Sequence, residues 1–230
     1  MNDFIKKNVT LVIPTYNAQK TINTTLNNVS KKFQNIIIVD GYSKDLTKNI
    51  CKKYNTQFFT SKRNRGMQLK LGGEKAVTNW VFFLHADSIL QNGAIDKIAE
   101  FISIDKNDYK AAAFKLKFNQ KNIYASCLSK IVFFRSKYFK LPYGDQGLII
   151  SKTFYNKIGG FKPLPIMEDV EIVKNIGFNN IQILDSYIIT DSIRYKTQGW
   201  LIRPLINIYC LSLYFLGFNI NYINKIYKRK

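Results

Sequence analysis

Acidic residues are scarce in this 230-residue chain: 15 Asp and Glu face 35 Lys and Arg, a formal net charge of +20. Histidine occurs once, as His85, and cysteine three times, as Cys51, Cys127 and Cys210. The cysteines are odd in number, far apart and form no CxxC pair. That argues against a disulfide framework or a structural zinc site and makes a reducing compartment the default. A bilayer-spanning segment is also missing. Pro204 to Phe218 carries no charge, but its fifteen residues fall short of the roughly 20 needed, and Asn207 and Ser212 interrupt it. It reads as a helix packed on the core or as one lying in a membrane interface. The amino-terminal apolar run is short, meets Pro14 and follows Asp3, Lys6 and Lys7, which is not the pattern of a signal peptide. The expected location is cytoplasmic, either soluble or peripheral on the inner face of the membrane. Repeats, low-complexity tracts, flexible linkers and heptads are absent as well.

With 46% hydrophobic and 14% aromatic residues, disorder, collagen and coiled coil are excluded as the main state. A chain of this length buries roughly 70–75% of its unfolded surface, enough for a real core. Its positive field attracts nucleic acid, anionic lipid or phosphorylated small molecules. The lysines are scattered through a chain rich in Ile, Asn, Tyr and Phe, so nucleic acid is disfavoured as a partner. After Asp191 no acid appears, while Arg194, Lys196, Arg203, Lys225, Lys228, Arg229 and Lys230 are basic. This cationic end makes an anionic membrane surface a candidate partner.

The first hundred residues alternate strand and helix patterns. Val9 to Ile13 predicts a strand closed by Pro14, and Ile22, Leu26, Val29 and Phe33 share one helical face. Ile36 to Val39 is an apolar run of the kind buried on both faces, ending at Asp40. Leu46, Ile50 and Tyr54 space a second helix, Gln57 to Thr60 a third strand, and Met67 to Val77 a third helix. Trp80 to Leu84 is a further strand, ending at His85-Ala86-Asp87, and a helix follows around Ile95, Ile98 and Ile102. Such alternation predicts a mainly parallel, right-handed α/β sheet flanked by helices. Ligands then bind beyond the carboxyl ends of the strands, where Asp40 and Asp87 both fall. Each could instead simply cap the helix that follows. The second half is less regular. Ala111 to Phe118 alternates as a strand, Gly144-Asp145-Gln146-Gly147 leads into Leu148 to Ser151, and Met167-Glu168-Asp169 opens a helix. The whole reads as one domain, 1–230. Within it, residues 1–110 carry the regular alternation, 111–198 the less regular part, and 199–230 a basic helical extension.

Leu11-Val12-Ile13-Pro14-Thr15-Tyr16-Asn17 resembles the opening strand and loop of family 2 glycosyltransferases with the GT-A fold. Val39-Asp40-Gly41-Tyr42-Ser43-Lys44-Asp45 resembles their second-strand signature, and His85-Ala86-Asp87 stands in the place of their metal-binding DxD. Gly144-Asp145-Gln146, Gly159-Gly160-Phe161 and Met167-Glu168-Asp169 resemble their acceptor-side segment and ED motif. Ser192-Ile193-Arg194-Tyr195 and Gly199-Trp200 are similar to the small bacterial radical-SAM/selenodomain-associated subgroup.

The resemblance implies an inverting, metal-dependent hexosyltransferase that moves a sugar from a nucleotide-diphospho-sugar to an acceptor hydroxyl. The acceptor would be a small molecule or lipid-linked. Asp87 would ligate Mg²⁺ or Mn²⁺, and Pro14, Thr15, Tyr16, Asp40, Arg65, His85, Ala86 and Asp87 would line the donor site. Asp169 would be the general base beside Glu168, and Gly144, Asp145 and Gln146 would meet the acceptor. Without the resemblance, Arg63 and Arg65 are also readable as surface arginines, Glu168 and Asp169 as ordinary first-turn acids, and His85 as structural. Only one carboxylate stands in the DxD position, and Gly66 and Lys70 depart from the pattern. The competing readings are a nucleotide-fold protein that has lost catalysis and docks on membrane or nucleic acid, and a nucleotidyltransferase. The latter would want a glycine-rich basic loop where Pro14-Thr15-Tyr16-Asn17 stands.

Overall fold

A computed structural model describes residues 2–228; Arg229 and Lys230 of the cationic end lie outside it. Helix α1 (Asn2–Asn8) leads into β1 (Val9–Thr15), α2 (Ile22–Val29), β2 (Asn35–Asp40), α3 (Thr47–Cys51), β3 (Gln57–Thr60), α4 (Arg65–Lys75) and β4 (Trp80–Phe83). Then come β5 (Ser88–Leu90), α5 (Ala94–Ile102), β6 (Ala111–Phe118), α6 (Ile123–Tyr138), β7 (Leu148–Ser151), α7 (Lys152–Lys157) and α8 (Glu168–Ile176). Strand β8 (Ile181–Thr190) and helices α9 (Ile193–Gln198), α10 (Ile202–Phe215) and α11 (Ile220–Lys228) complete the described chain. The strands form one sheet in the order β3-β2-β1-β4-β7-β6-β8-β5. Neighbours are parallel except where β7 lies between β4 and β6 and where β5 pairs with β8.

Alternate residues of the central strands feed two cores, as the period of two requires. Leu11, Ile13, Ile36, Ile38 and Phe82 face α1, α2 and α5, whereas Val12, Ile37, Val39, Val81 and Phe83 face α4, α7 and α8. The predicted stripe Ile22, Leu26, Val29 and Phe33 is buried in the first of these. Each such side chain contributes roughly 1.5–3 kcal/mol.

Three expectations change. Strand β1 does not stop at Pro14 but runs on to Thr15, pairing Pro14 with Val39 of β2. Pro14 has no N–H to give, and it shares its edge of β1 with Val12, whose carbonyl accepts the last bond from beyond β4 (Leu84 N–H, 3.0 Å). Proline is therefore tolerated where β4 has already ended. Helix α3 closes at Cys51, before Tyr54, whose hydroxyl instead reaches Asn23 and Asn27 on α2.

The third change is in what periodicity failed to reveal. Helix α6 buries only Ala125, Val132 and Ser136 and leaves Ile123, Ile131 and Phe134 outside, so its apolar pattern does not mark a core face. Strand β8 slips in register opposite Phe114 and Lys115 of β6, which breaks its alternation, and β5 is three residues long.

Candidate active site

Because β1, β2, β4, β6 and β8 all run the same way, their carboxyl ends share one edge of the sheet. Three of the four non-glycine residues with positive φ, Asn17, Tyr42 and Met167, lie in the loops around it.

At the end of β2, Asp40 is buried with both its oxygens hydrogen-bonded. Its Oδ1 accepts from Thr15 Oγ1 (2.8 Å) and Ser43 Oγ (2.6 Å), and its Oδ2 from the Ser43 N–H (2.7 Å). Gln68, buried on α4, clamps the same strand ends by donating Nε2 to the carbonyls of Thr15 (2.7 Å) and Val39 (2.8 Å). Nothing in the sequence singled out Gln68. Above it the Arg63 guanidinium lies 3.9 Å from the centre of the Tyr16 ring, and Gly41 fits beneath this stack. Arg63 thus joins Tyr16, while Arg65 turns elsewhere.

Asn64 caps α4 by accepting from the Met67 N–H (3.0 Å), which aims Arg65 at the start of α8, where its Nε pairs with Glu168. Burial works against the Arg65 charge, but Glu168 and Asp169 together hold its pKa above the ordinary value. The start of α4 can lie against the loop leading to α8 because residue 66 is glycine: a Cβ there would stand 2.3 Å from the Lys162 carbonyl oxygen. That accounts for Gly66. Lys70 is exposed and 4.0 Å from Glu74, one turn along α4.

Met167 holds the left-handed conformation (φ 61°) just before α8, a strained choice for a side-chain-bearing residue. It turns Glu168 inward, fully buried, and leaves Asp169 half-buried beside it. Asp169 Oδ2 accepts from the Gly144 N–H (3.0 Å) and its Oδ1 from the Val170 N–H (2.9 Å). Gly144 is squeezed from two sides, since a Cβ there would lie 2.8 Å from His85 Nε2 and 3.5 Å from Asp169 Oδ2. Burial, reinforced by Arg65 and Arg194, lowers the His85 pKa to about 3 despite Asp169. The ring is therefore neutral at physiological pH.

Asp87 contrasts with Asp40. Its Oδ1 is buried with no hydrogen-bond partner, and so are Asp145 Oδ1 and Glu168 Oε2. Burial first, then Asp145 and Asp191, raise the Asp87 pKa to about 6, with Arg194 opposing. Burial likewise raises Asp145 and Glu168, against the pull of Arg135 and Arg65 respectively. The reach of Asp191 follows from register: Ser88 lies opposite Thr190 in the antiparallel β5–β8 pair, so Asp87 and Asp191 occupy the next positions out. Asp191 and Arg194 had no assigned role in the sequence reading. The signal was there in the Ser192–Tyr195 segment, but only the β5–β8 pairing brings it to Asp87.

Gln146, expected among the acceptor contacts, lies inside the fold. It is fully buried, its Oε1 accepts from Ser136 Oγ (2.9 Å) and Arg135 Nη2 (3.2 Å), and its Nε2 donates to the Phe114 carbonyl (2.7 Å). It fixes the Gly144–Gln146 turn. Gly144 and Asp145 face the acids, and Ala86 gives its carbonyl to Thr25 Oγ1 (3.0 Å).

A hard divalent cation fits this edge. One buried carboxylate oxygen each of Asp87, Asp145 and Glu168 lacks a hydrogen-bond partner, and oxygen donors suit Mg²⁺ or Mn²⁺. Among the described residues no three His, Cys, Asp or Glu side chains form a cage by themselves. Such ions are commonly held by one or two carboxylates plus substrate phosphates.

Comparison with known proteins agrees with this architecture. Residues 10–161 match the family model "Glycosyl transferase family 2". The SPbeta prophage-derived glycosyltransferase SunS of Bacillus subtilis is 34% identical over 113 residues, 42% of this chain and 25% of that protein. An uncharacterized protein of Methanocaldococcus jannaschii, MJ1222, is 36% identical over 73 residues, 31% of this chain and 30% of that one. The chain thus spans about a quarter to a third of the length of these relatives. Among solved structures, S. aureus TarS 1–349 superposes with a TM-score of 0.64 at 17% identity, over 96% of this chain and 69% of that one. The mannosyltransferase PcManGT of Pyrobaculum calidifontis, solved with GDP-Man and Mn²⁺, gives 0.60 at 17% identity, over 79% of this chain and 56% of that one. With its matched segment covering more than half its length and its sheet shared with these GT-A neighbours, the chain belongs to glycosyl transferase family 2.

Proposed function

We infer that this protein transfers a sugar from a nucleotide-diphospho-sugar to an acceptor hydroxyl, with inversion at the anomeric carbon and with a divalent cation. The observation that carries the reading is one edge holding a fixed carboxylate, Asp169, beside three acids that each keep a buried, unpartnered oxygen. Neighbours solved with UDP-GlcNAc, or with GDP-Man and Mn²⁺, support such a donor and cation. The reading treats residues 1–230 as one transferase domain. The segment from Ser192 to Trp200 supports the radical-SAM/selenodomain-associated subgroup.

In this reading Pro14, Thr15, Tyr16 and Asp40 shape the nucleoside end of the site. Asp40 Oδ2 accepts only one hydrogen bond and keeps acceptor capacity. Asp87 holds the cation, which when bound neutralises charge on the departing diphosphate. Arg65 and Arg194 supply fixed positive charge beside it. His85 and Ala86 line the same wall, His85 as a neutral ring. Two backbone N–H bonds fix Asp169. It takes the acceptor hydroxyl proton as the new C–O bond forms on one face and the nucleoside diphosphate leaves from the other. A base so placed is worth roughly 10²–10⁴-fold. Glu168 anchors Arg65, and Gly144 and Asp145 meet the acceptor.

The test is incubation with UDP-, GDP- and dTDP-sugars and Mn²⁺ or Mg²⁺, following nucleoside diphosphate release and the anomeric configuration of the product by NMR. Cation-dependent release with inverted product is expected. Retained configuration, or turnover unchanged in chelator, would overturn the reading.

A further inference from the structure

The carboxy-terminal helices keep an apolar face that nothing among the described residues covers. On α10 and at its end, Ile202, Leu205, Ile208, Tyr209, Phe215 and Leu216 are all more than half exposed. Their spacing of 3, 3, 1, 6 and 1 puts them on one helical stripe. The opposite face holds Cys210 and Leu213, packed with Met167 and Val170 beside the catalytic acids and with Ile223 of α11. Both faces of the helix are therefore largely apolar, one spent on the core beside the buried Arg203 and the other on solvent. From Pro204 to Asn224 no residue is charged. Exposed apolar surface on this scale marks an interaction site.

A second stripe lies on α6, from which Ile123, Ile131, Phe134 and Tyr138 project. Tyr195 of α9 and Trp200, just before α10, pack with Leu128 of α6 and Phe118 in one cluster and so link the two elements. The surroundings are cationic. Arg194, Lys196, Lys225 and Lys228 are exposed around the carboxy-terminal helices, and Lys130 and Lys137 along α6. No acidic residue follows Asp191. No helix among the described residues is long and apolar enough to cross a membrane.

We propose that the outer face of α10, continued by α6, is a docking surface for an anionic lipid bilayer. The helix lies in the plane of the interface, with its stripe among the acyl-chain boundary and its lysines and arginines at the headgroups. The charge argues for lipid over a second copy of this chain: two faces rimmed with the same positive charge repel, whereas anionic headgroups attract them. Each such residue near an anionic surface strengthens binding, and salt weakens it. The inner face of α10 packs against Met167, so docking holds the acids about one helix diameter, ~10 Å, from the lipid. That distance suits a lipid-linked acceptor. This consequence rests on the transferase reading; the docking itself does not.

The experiment is co-sedimentation with vesicles of phosphatidylcholine alone or with about a third phosphatidylglycerol, at low and high salt. Trp200 fluorescence is read with brominated lipid, because Trp80, the other tryptophan, is buried in the core. Parent protein should bind the anionic vesicles, with Trp200 quenched, and release in high salt. Leu205→Asp/Phe215→Asp, both at exposed positions, should lower partitioning by roughly tenfold or more. Lys225→Glu/Lys228→Glu should remove the preference for anionic lipid with the apolar stripe intact. Absence of vesicle binding by the parent, or binding that both double variants leave unchanged, overturns the proposal. So does sedimentation showing a dimer that Leu205→Asp/Phe215→Asp dissociates, with no lipid bound. Donor-induced thermal shifts, measured without lipid, report separately on the transferase reading.

Discussion

Two aspartates end neighbouring stretches of the same sheet edge, and the chain treats them oppositely. Asp40 has three hydrogen bonds, from Thr15 and Ser43, and builds the loop it sits in. Asp87, beyond β4, keeps an oxygen buried without a partner, with Asp145 and Asp191 adding like charge. Groups satisfied within the fold serve structure first. Groups left unsatisfied at a cost are reserved for something that binds. By this contrast the end of the edge at Asp40 is pre-formed, and the proposed function has the region of Asp87, Asp145 and Glu168 completed by ligand.

The contrast can be broken by substitution. The largest effect should come from Asp169→Asn, which keeps the shape of the site but removes the base. Turnover should fall by roughly 10²–10⁴-fold, while the donor-induced thermal shift stays near that of the parent. Equal turnover would remove Asp169 from the mechanism. On the satisfied side, Asp40→Ala strands a buried Thr15 hydroxyl and the Ser43 N–H, and should cost about 3 kcal/mol in urea unfolding without any ligand. A neutral result would mean that Asp40 is not structural.

Asp87→Asn should do the reverse and stabilise the ligand-free protein. The folded Asp87 pKa of about 6 exceeds the ordinary value of 3.8, so the folded state holds its proton more tightly. Stability contributed by protonated Asp87 is therefore present below about pH 4 and lost as pH rises to about 6. By pH 7 the charge costs up to about 3 kcal/mol. His85 works the other way, because its folded pKa of about 3 makes stability fall as pH drops from about 6.5 toward 3. The difference between parent and Asp87→Asn isolates the Asp87 part. It should grow between about pH 4 and pH 6, and a flat difference would contradict the assigned burial. The smallest effect belongs to Gly144→Ala, whose methyl meets His85. It should cost about 1 kcal/mol, with turnover reduced because the Gly144 N–H no longer holds Asp169 in place.

Much of this edge could be read from the sequence. Apolar runs closing at Asp40 and at His85-Ala86-Asp87 placed both acids at strand ends, and the acids at Glu168 and Asp169 opened a helix as expected. What could not be read is which groups the fold would use up. Gln146 looks like a polar residue in an acceptor loop until Phe114, Arg135 and Ser136 are brought around its amide. Asp191 reaches Asp87 only through the pairing of β5 with β8, about a hundred residues apart in the chain. Helix α6 escaped notice because its large apolar residues face outward, against the rule that periodicity marks the core.

The central claim is that the unpaired carboxylates around Asp87 are completed by a cation and a nucleotide-diphospho-sugar. Its most direct test is the melting temperature of parent and Asp87→Asn proteins against UDP-, GDP- and dTDP-sugars, each with Mn²⁺, Mg²⁺ or chelator. A donor at about 100 times its dissociation constant adds roughly 2.7 kcal/mol, a rise of roughly 5–10 °C at this size. The account predicts that rise for one nucleotide class with the parent, its loss in chelator, and its loss in Asp87→Asn. A rise that survives both chelator and Asp87→Asn, or none with any donor, would contradict it.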